Sequence, residues 1–383
     1  MASLRIWEGV QAIEAARWDA AATDASPFHE HGFLASLEQT GCVGEDTGWI
    51  PLVFGIEDGD RLIAVMPAYI KTHSMGEFVY DWSFADSAQR AGISYYPKMI
   101  ITAPFSPISG KRILFRSDVD ASRQEKLTKD LLENALDEAK RRGCHSAHLL
   151  FCTEAESQVA KELGFFERLA IQLHWENANY GSFDDFLARF KSKRRKEIKR
   201  ERRLLREAGV EVAHLSGEKD AIPVDYWQHA YRFYADTVSR FHWGRQYLNE
   251  AFFRTLFERL NSRIQFSVAS RDGNPIAGAF NLQKAGRRYG RYWGADEAVP
   301  FLHFEVCSYG PVEDAINSQI QAFEAGAGAH AHKFYRGFSP VVTRSVHHYF
   351  HVGFHRAIEV YCEREATHVR EEVRNATPRV FVR

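Results

Sequence analysis

At 383 residues the chain exceeds the usual size of a single hydrophobic core, so two domains are expected. Its 45% hydrophobic and 26% charged residues exclude a disordered or fibrous protein, and no apolar run approaches the roughly 18 residues of a membrane span. A formal charge of -1 excludes a strong overall field for a polyanionic partner.

The opening stretch, MASLRIWEGVQAIEAARWDAA, has no charged-then-apolar leader, so a cytoplasmic location is expected. Cys42, Cys144, Cys152, Cys307 and Cys362 are scattered, without a CxxC pair, and read as reduced thiols rather than a disulfide or zinc framework. Helical spacing in VQAIEAARWDAA and HGFLASLEQT precedes an alternating hairpin, WIPLVFGIEDGDRLIAVMPAYI, turning at Asp58-Gly59. From Tyr80 to Pro107 an aromatic, Pro-rich stretch shows little periodicity and reads as a long loop presenting a binding surface. A helix with a Ser122 cap runs to Arg142, Gly143 stops it, and HSAHLLFCT (strand), ESQVAKEL (helix) and GFFERLAIQLHWE (strand) close a first domain at residue 176.

The second domain, 177–383, opens with FDDFLARFKSKRRKEIKRERRLLREAG, read as one long helix stopped by Gly209. Eleven Lys or Arg against two Glu between Arg189 and Arg206 leave the rest of the chain net acidic by about ten charges. Strand EVAHL and two aromatic helices follow. Three strands then form a meander with turns at Asp272-Gly273 and Ala285-Gly286. A helix from Leu302 to Asn317, a strand, the segment HKFYRGFSP, a strand through Val346 and a final helix complete the chain.

Both halves place an Asp-Gly turn before Ile-Ala (GIEDGDRLIAVMPA, ASRDGNPIAGAFNL) and a Gly-Phe pair before a terminal strand (KELGFFER, KFYRGFSP), in the same order, which points to an internal repeat. This order resembles the GNAT acyltransferase fold twice over. FYADTVSR from Phe233, DGNPIAGAF from Asp272, RYGRYWGAD from Arg288 and FYRGF from Phe334 are similar to the Fem-type aminoacyltransferases of peptidoglycan synthesis. DWSFAD at Asp81, SYYPK at Ser94 and APFSPISGKRIL at Ala103 resemble a FemAB-like branch. The resemblance implies an α/β (α+β) fold of tandem duplicated GNAT-like domains, each a mostly antiparallel mixed sheet flanked by helices. The first would face the acceptor and the second would carry the transfer site. It implies transfer of an acyl or aminoacyl group to an amine, with a small molecule or peptidoglycan precursor as acceptor, aminoacyl-tRNA as donor and tRNA as a partner. No resident cofactor or metal is expected. Fem-type enzymes carry a helical-hairpin arm where this chain has one helix, which puts the tRNA donor in question. A glycine-rich pyrophosphate loop is missing at APFSPISGKR and RRYGRY, which counts against the rival donor, acetyl-CoA. A catalytically degenerate ligand-binding protein is the rival outside catalysis.

Lys193, Arg194, Arg195 and Lys199 are candidate anion-binding residues, against a solvated helix face. Lys333 and Arg336 are candidates to stabilise a tetrahedral oxyanion, against plain surface charge. Glu305 is the first candidate base and His303 the second, with Asp296 nearby; a cap or core role competes for each. Asp81, Trp82, Tyr95, Tyr96 and Lys98, with Tyr292 and Trp293, are candidates to hold substrate, against packed aromatic surface. His347, His348, His351 and His355 suggest a metal, but the first two adjoin on a strand and point to opposite faces.

Overall fold

The computed structural model describes residues 2–240, 245–328, 331–376 and 381. Along the chain come β1 (Ala2–Trp7), α1 (Ala15–Ala21), α2 (His31–Gln39), β2 (Trp49–Asp58), β3 (Arg61–Lys71), α3 (Trp82–Arg90), β4 (Lys98–Ile101), β5 (Leu114–Phe115), α4 (Ala121–Arg141), β6 (Ser146–Leu150), α5 (Glu154–Glu162) and β7 (Phe166–Glu176). Then follow α6 (Phe183–Ala188), α7 (Ser192–Glu207), β8 (Glu211–Ser216), α8 (Trp227–Arg240), α9 (Glu250–Leu260), β9 (Ile264–Arg271), β10 (Asn274–Lys284), β11 (Arg287–Ala295) and α10 (Leu302–Phe304). A π turn (Glu305–Tyr309) joins α10 to α11 (Gly310–Asn317), ahead of β12 (Ala322–Glu324), α12 (Ala331–Phe334), β13 (Ser339–Tyr349) and α13 (Val352–Asn375). Among the described residues no helix is long and apolar enough to cross a membrane.

The chain forms two compact units, Met1–Ala170 with Val342–Glu371, and Ile171–Val341 with Glu372–Arg383. In the first, strands lie in the order β1-β2-β3-β4-β6-β13. All neighbours are antiparallel except β4 and β6, which are parallel. The apolar stripe of α4 (Leu127, Leu131, Ala135, Ala139) covers this sheet against Phe54, Met66 and Leu149, the i, i+4 spacing that an amphipathic helix uses to face a core. Asp120, rather than the expected Ser122, caps α4 by accepting from Arg123 N. Several elements went unread in sequence. β1 pairs with β2, and the stretch read as a loop contains α3 and β4, with Phe84 and Ala88 of α3 turned inward.

The second unit repeats the plan. Its order is β8-β9-β10-β11-β12-β7, antiparallel throughout except between β11 and β12. The turns at Asp272-Gly273 and Ala285-Gly286 hold positive φ at both residues, the conformation of a tight hairpin turn. The two sheets correspond place for place, but the sixth place of each is taken by the strand that ends the other repeat: β13 in the first and β7 in the second. The long basic helix expected from Phe183 is broken into α6 and α7, because Phe186 and Phe190 are buried with Trp175 and Phe323 and the chain must turn between them and Ser192.

β11 lies directly against α8. A Cβ on Gly294 would stand 2.0 Å from the carbonyl oxygen of Phe233, a contact only backbone movement can relieve. Gly294→Ala is therefore expected to destabilise the protein by at least the ~1–3 kcal/mol of an overpacked core, read by urea unfolding. An unchanged midpoint would show that α8 is not held at this distance.

Candidate functional site

In the second unit the site begins with the stripe of α7 that faces inward: Arg194, Ile198, Glu201, Arg202 and Leu205. Ile198 and Leu205 are buried and anchor the helix. Arg202 forks onto Glu305, with Nε 2.9 Å from Oε2 and Nη2 2.7 Å from Oε1, and Nη2 also reaches Glu313 Oε2 at 2.5 Å. Burial pushes the Glu305 carboxyl up and the Arg202 guanidinium opposes it. Beside it in α7, Glu201 accepts from Tyr309 OH at 2.5 Å and from Arg336 Nη2 at 3.4 Å, while Arg194 donates to Tyr309 OH at 2.9 Å. Arg336 also lies over the Phe304 ring and donates to His332 O.

Both acids thus meet the π turn, Glu305 as its first residue and Glu201 through its last, Tyr309. A proline at 311 has no N–H to offer Cys307 O, four residues back, which relieves the α register at this point. Glu305, the first candidate base, is accordingly bound at both oxygens by Arg202. His303 is placed otherwise. Its ring lies 4.4 Å from Trp293 and 5.3 Å from His332, half-buried and without a hydrogen bond among the described residues. Burial, then the charges of His332, Arg336 and Lys333, lower its pKa to about 4, so it is neutral at pH 7. It adjoins the place where the sheet parts: Tyr289 is the last β11 residue paired with β12, and β11 continues through Trp293 to Ala295.

The remaining candidates in this unit divide. Lys333 Nζ faces the carbonyls of residues 325–328. Asp296 is exposed and paired with Arg232 at 3.0 Å. Tyr292 packs on Tyr234 and Phe253, outside the His303 group. On α7, Arg194 belongs to the buried network, Lys199 pairs with Asp184 at 2.9 Å, and Lys193 and Arg195 have no ion pair among the described residues.

In the first unit Asp81, Tyr95, Tyr96 and Lys98 do come together. Lys98 is fully buried, its Nζ 2.5 Å from Asp81 Oδ2, 2.8 Å from Glu77 Oε2 and 3.0 Å from Ser74 Oγ. Tyr95 OH donates to Asp81 at 2.7 Å and meets Tyr349 OH at 3.1 Å; Tyr96 OH meets Ser74 Oγ at 2.7 Å. Burial works against the Lys98 charge, but Glu77 and Asp81 together raise its pKa, while burial lifts Glu77 to about 7. Lys71, which burial lowers to about 7, sits over the Trp49 ring at 4.0 Å. Glu77 Oε1 and Asp81 Oδ1 have no partner among the described residues. Above this layer Trp82, Ala85, Asp86, Gln89, Tyr95 and Tyr96 line a cleft of about 500 Å³, with Trp82 and the neighbouring Tyr80 exposed.

Sequence reasoning missed Ser74, Glu77 and Tyr349 here and Glu201, Arg202 and Tyr309 in the second unit. For Glu201 and Arg202 a signal existed, since both share the helical stripe of Ile198 and Leu205. The histidines serve packing: His347 Nδ1 lies 2.9 Å from His148 Nδ1, both rings are buried, and Ser345 and Ser146 hold their outer nitrogens at 2.8 Å. His348 contacts Gly164 O on the other face, and His351 and His355 bond the backbone of Phe354 and Tyr349.

Two matching mixed sheets, each with one parallel pair, define a tandem α/β protein built twice on one plan. The chain belongs to the FemAB-like family, described as peptidoglycan biosynthesis/recognition, which matches residues 9–382. No curated protein matches it. Among solved structures it is similar to FemX, at 11% identity and TM-score 0.55, over 93% of this chain and 100% of that one. A conserved protein of unknown function from Bacteroides thetaiotaomicron matches at 10% identity and TM-score 0.50, over 90% and 99% of the two chains. A tandem GNAT protein from the clavulanic acid biosynthesis pathway matches at 9% identity and TM-score 0.46, over 91% and 98%.

Two outcomes follow from these buried charges and rings. Lys98→Met strands two buried carboxyls and is expected to lower stability by about 3–5 kcal/mol in urea unfolding; a change near zero would mean that water reaches the cluster. The second concerns acid. The folded pKa of His347, about 3, lies below its ordinary value of 6.5, and that of His148 is lowered as well, in both cases first by burial. Above pH 6.5 their full contribution is present. Below it only the unfolded chain takes up protons, so stability falls by up to about 1.4 kcal/mol per pH unit for each such ring, while Glu77, raised to about 7, works in the opposite sense between pH 7 and 4.5. His148→Asn with His347→Asn should flatten the loss of melting temperature between pH 6.5 and 4. A double variant with the wild-type slope would assign acid lability elsewhere.

Proposed function

We propose that the protein transfers an acyl or aminoacyl group to an amine on a peptidoglycan precursor, with His303 as the proton acceptor and the chemistry in the second unit. The observation that carries this reading is a neutral, half-buried imidazole with no hydrogen-bond partner among the described residues, packed edge-on against Trp293 where β11 and β12 part. An amine attacking an ester or thioester carbonyl becomes an ammonium in the tetrahedral intermediate, more acidic than a free ammonium; an imidazole that enters the step unprotonated takes its proton, and collapse of the intermediate breaks the ester C–O or thioester C–S bond, the expelled oxygen or sulfur taking the proton back from the imidazolium. Direct attack needs no covalent enzyme intermediate. Glu305 and Arg336 then act behind the site, fixing the π turn that follows His303 and the helix α12 that carries His332. No resident cofactor takes part.

The acceptor is assigned to the aromatic cleft of the first unit, where Trp82 and Tyr96 offer flat apolar faces and Gln89 and Asp86 offer polar edges. Aminoacyl-tRNA is the proposed donor. The exposed cations of α7, Lys193, Lys196 and Arg200, with Arg195 half-buried beside them, suit its phosphates. In the first unit the stretch at Ala103–Pro107 is buried rather than open as a phosphate cradle, which disfavours acetyl-CoA there. Both donors and the precursor place the reaction in the cytoplasm.

The test mixes purified protein and a soluble nucleotide-linked muropeptide with charged tRNA or with labelled acetyl-CoA, and follows label into the muropeptide. Transfer from charged tRNA is expected, and His303→Asn should lower kcat by about 10²–10⁴-fold with little change in KM. Transfer from acetyl-CoA alone would replace the donor, and an unimpaired His303→Asn would remove His303 from the chemistry. Tight muropeptide binding with no transfer from either donor would identify a binding protein instead.

A further inference from the structure

Lys333 was expected to present its charge to a reacting carbonyl, but that charge is already engaged. Its Nζ lies 2.8 Å from Ala325 O, 3.4 Å from Gly326 O, 3.2 Å from Ala327 O and 3.1 Å from Gly328 O. Four successive carbonyls converge on one point. An ammonium has three hydrogens, so four acceptors around it make a cage of the kind that backbone oxygens build around a dehydrated monovalent ion. The chain can close so tightly because Gly326 and Gly328 take φ of 75° and 89°, a region where a side chain would be strained.

We infer that Lys333 is a tethered monovalent cation, whose ammonium fills a four-carbonyl site and sets the path of the Ala325–Gly328 loop. It is a positioning residue. In a trans peptide the N–H of each residue points opposite to the C=O of the one before. Drawing the carbonyls of 325–327 onto Nζ therefore turns the N–H groups of Gly326, Ala327 and Gly328 away from it, and none of the three donates a backbone hydrogen bond among the described residues. The first unit has a counterpart. Buried Arg112 donates to Phe151 O at 3.0 Å and to Ile108 O. Phe151 directly follows β6 just as Ala325 directly follows β12, the fifth strand of each sheet. A cation on the carbonyl at that point is thus a recurring part of the plan. That this loop borders the reacting groups rests on the function proposed above; the cage does not.

The full chain carrying Lys333→Ala opens the cage and leaves room for a free ion. In sodium chloride it should melt about 2–4 °C below wild type. Potassium or ammonium chloride at equal ionic strength should restore at least half of that loss, since both ions approach the size of a lysine ammonium. Lys333→Met fills the volume of the stem without charge and should stay low in all three salts. Indifference of Lys333→Ala to the identity of the cation, or the same preference in wild type, would overturn the inference. Should Lys333→Ala fail to fold, wild-type protein decides by amine acetylation read by mass spectrometry. Lys333 is expected to react at least about tenfold more slowly than exposed Lys193, and equal rates would overturn the cage. Neither measurement uses a donor or acceptor, so loss of the proposed transfer reaction and loss of the cage are separately visible.

Discussion

The second unit is organised around the fork of Arg202 on Glu305. Removing either partner would leave a charge in a place water reaches only in part, and the desolvation of a lone, largely buried charge is larger than the net worth of the pair. The pair therefore acts as a constraint. α7 cannot rotate, because Ile198 and Leu205 lock the same stripe, and the π turn cannot relax into an α register without moving Glu305 off the fork and Tyr309 off Glu201. With both ends of the turn fixed, His303, two residues ahead of it, is held against Trp293. A fixed second layer of this kind is what the proposed proton acceptor, which itself makes few bonds, requires.

The duplicated sheets add a constraint on the scale of the chain. Each has the same succession of neighbours, with the one parallel pair in the same place, and each is completed by a strand from the far end of the other repeat. A segment ending with β7 would lack β13, and with it the partner of β6 and the second ring of the His148–His347 pair. The first unit is closed by residues separated from it by the whole of the second, a high contact order that ties completion of the first sheet to the last part of the chain.

Most of the fold was legible because it is local. Apolar period, Gly-terminated helices and Asp-Gly turns mark nearly every element, and the repeated order of turn and strand marks the duplication. β1 was missed because its residues are mostly exposed, so ASLRIW shows no core pattern. α3 was missed because aromatic and proline residues around it mask one amphipathic helix. Among the candidate site residues, Asp81, Tyr95 and Lys98 do meet. What sequence cannot give is which charge answers which. Glu305 reads as a free carboxylate until Arg202, a hundred residues earlier, is seen to fork onto it. Lys333 reads as a free cation until the carbonyls behind it, which have no side-chain signature at all, are seen to converge.

The basic run of α7 shows how a single feature can have two explanations at once. Its excess of cations called for an anion, since like charges along one helix repel. The inward face meets that demand inside the protein: Arg194 and Arg202 are answered by Glu201, Glu305 and Glu313. The outward face does not. Lys193, Lys196 and Arg200 follow one another at helical spacing, all exposed and without an ion pair among the described residues. A helix pinned from within by its own cations presents the others at fixed positions. That arrangement suits a rigid polyanion better than a diffuse counterion cloud, because the entropy of ordering the helix is spent on folding rather than on binding.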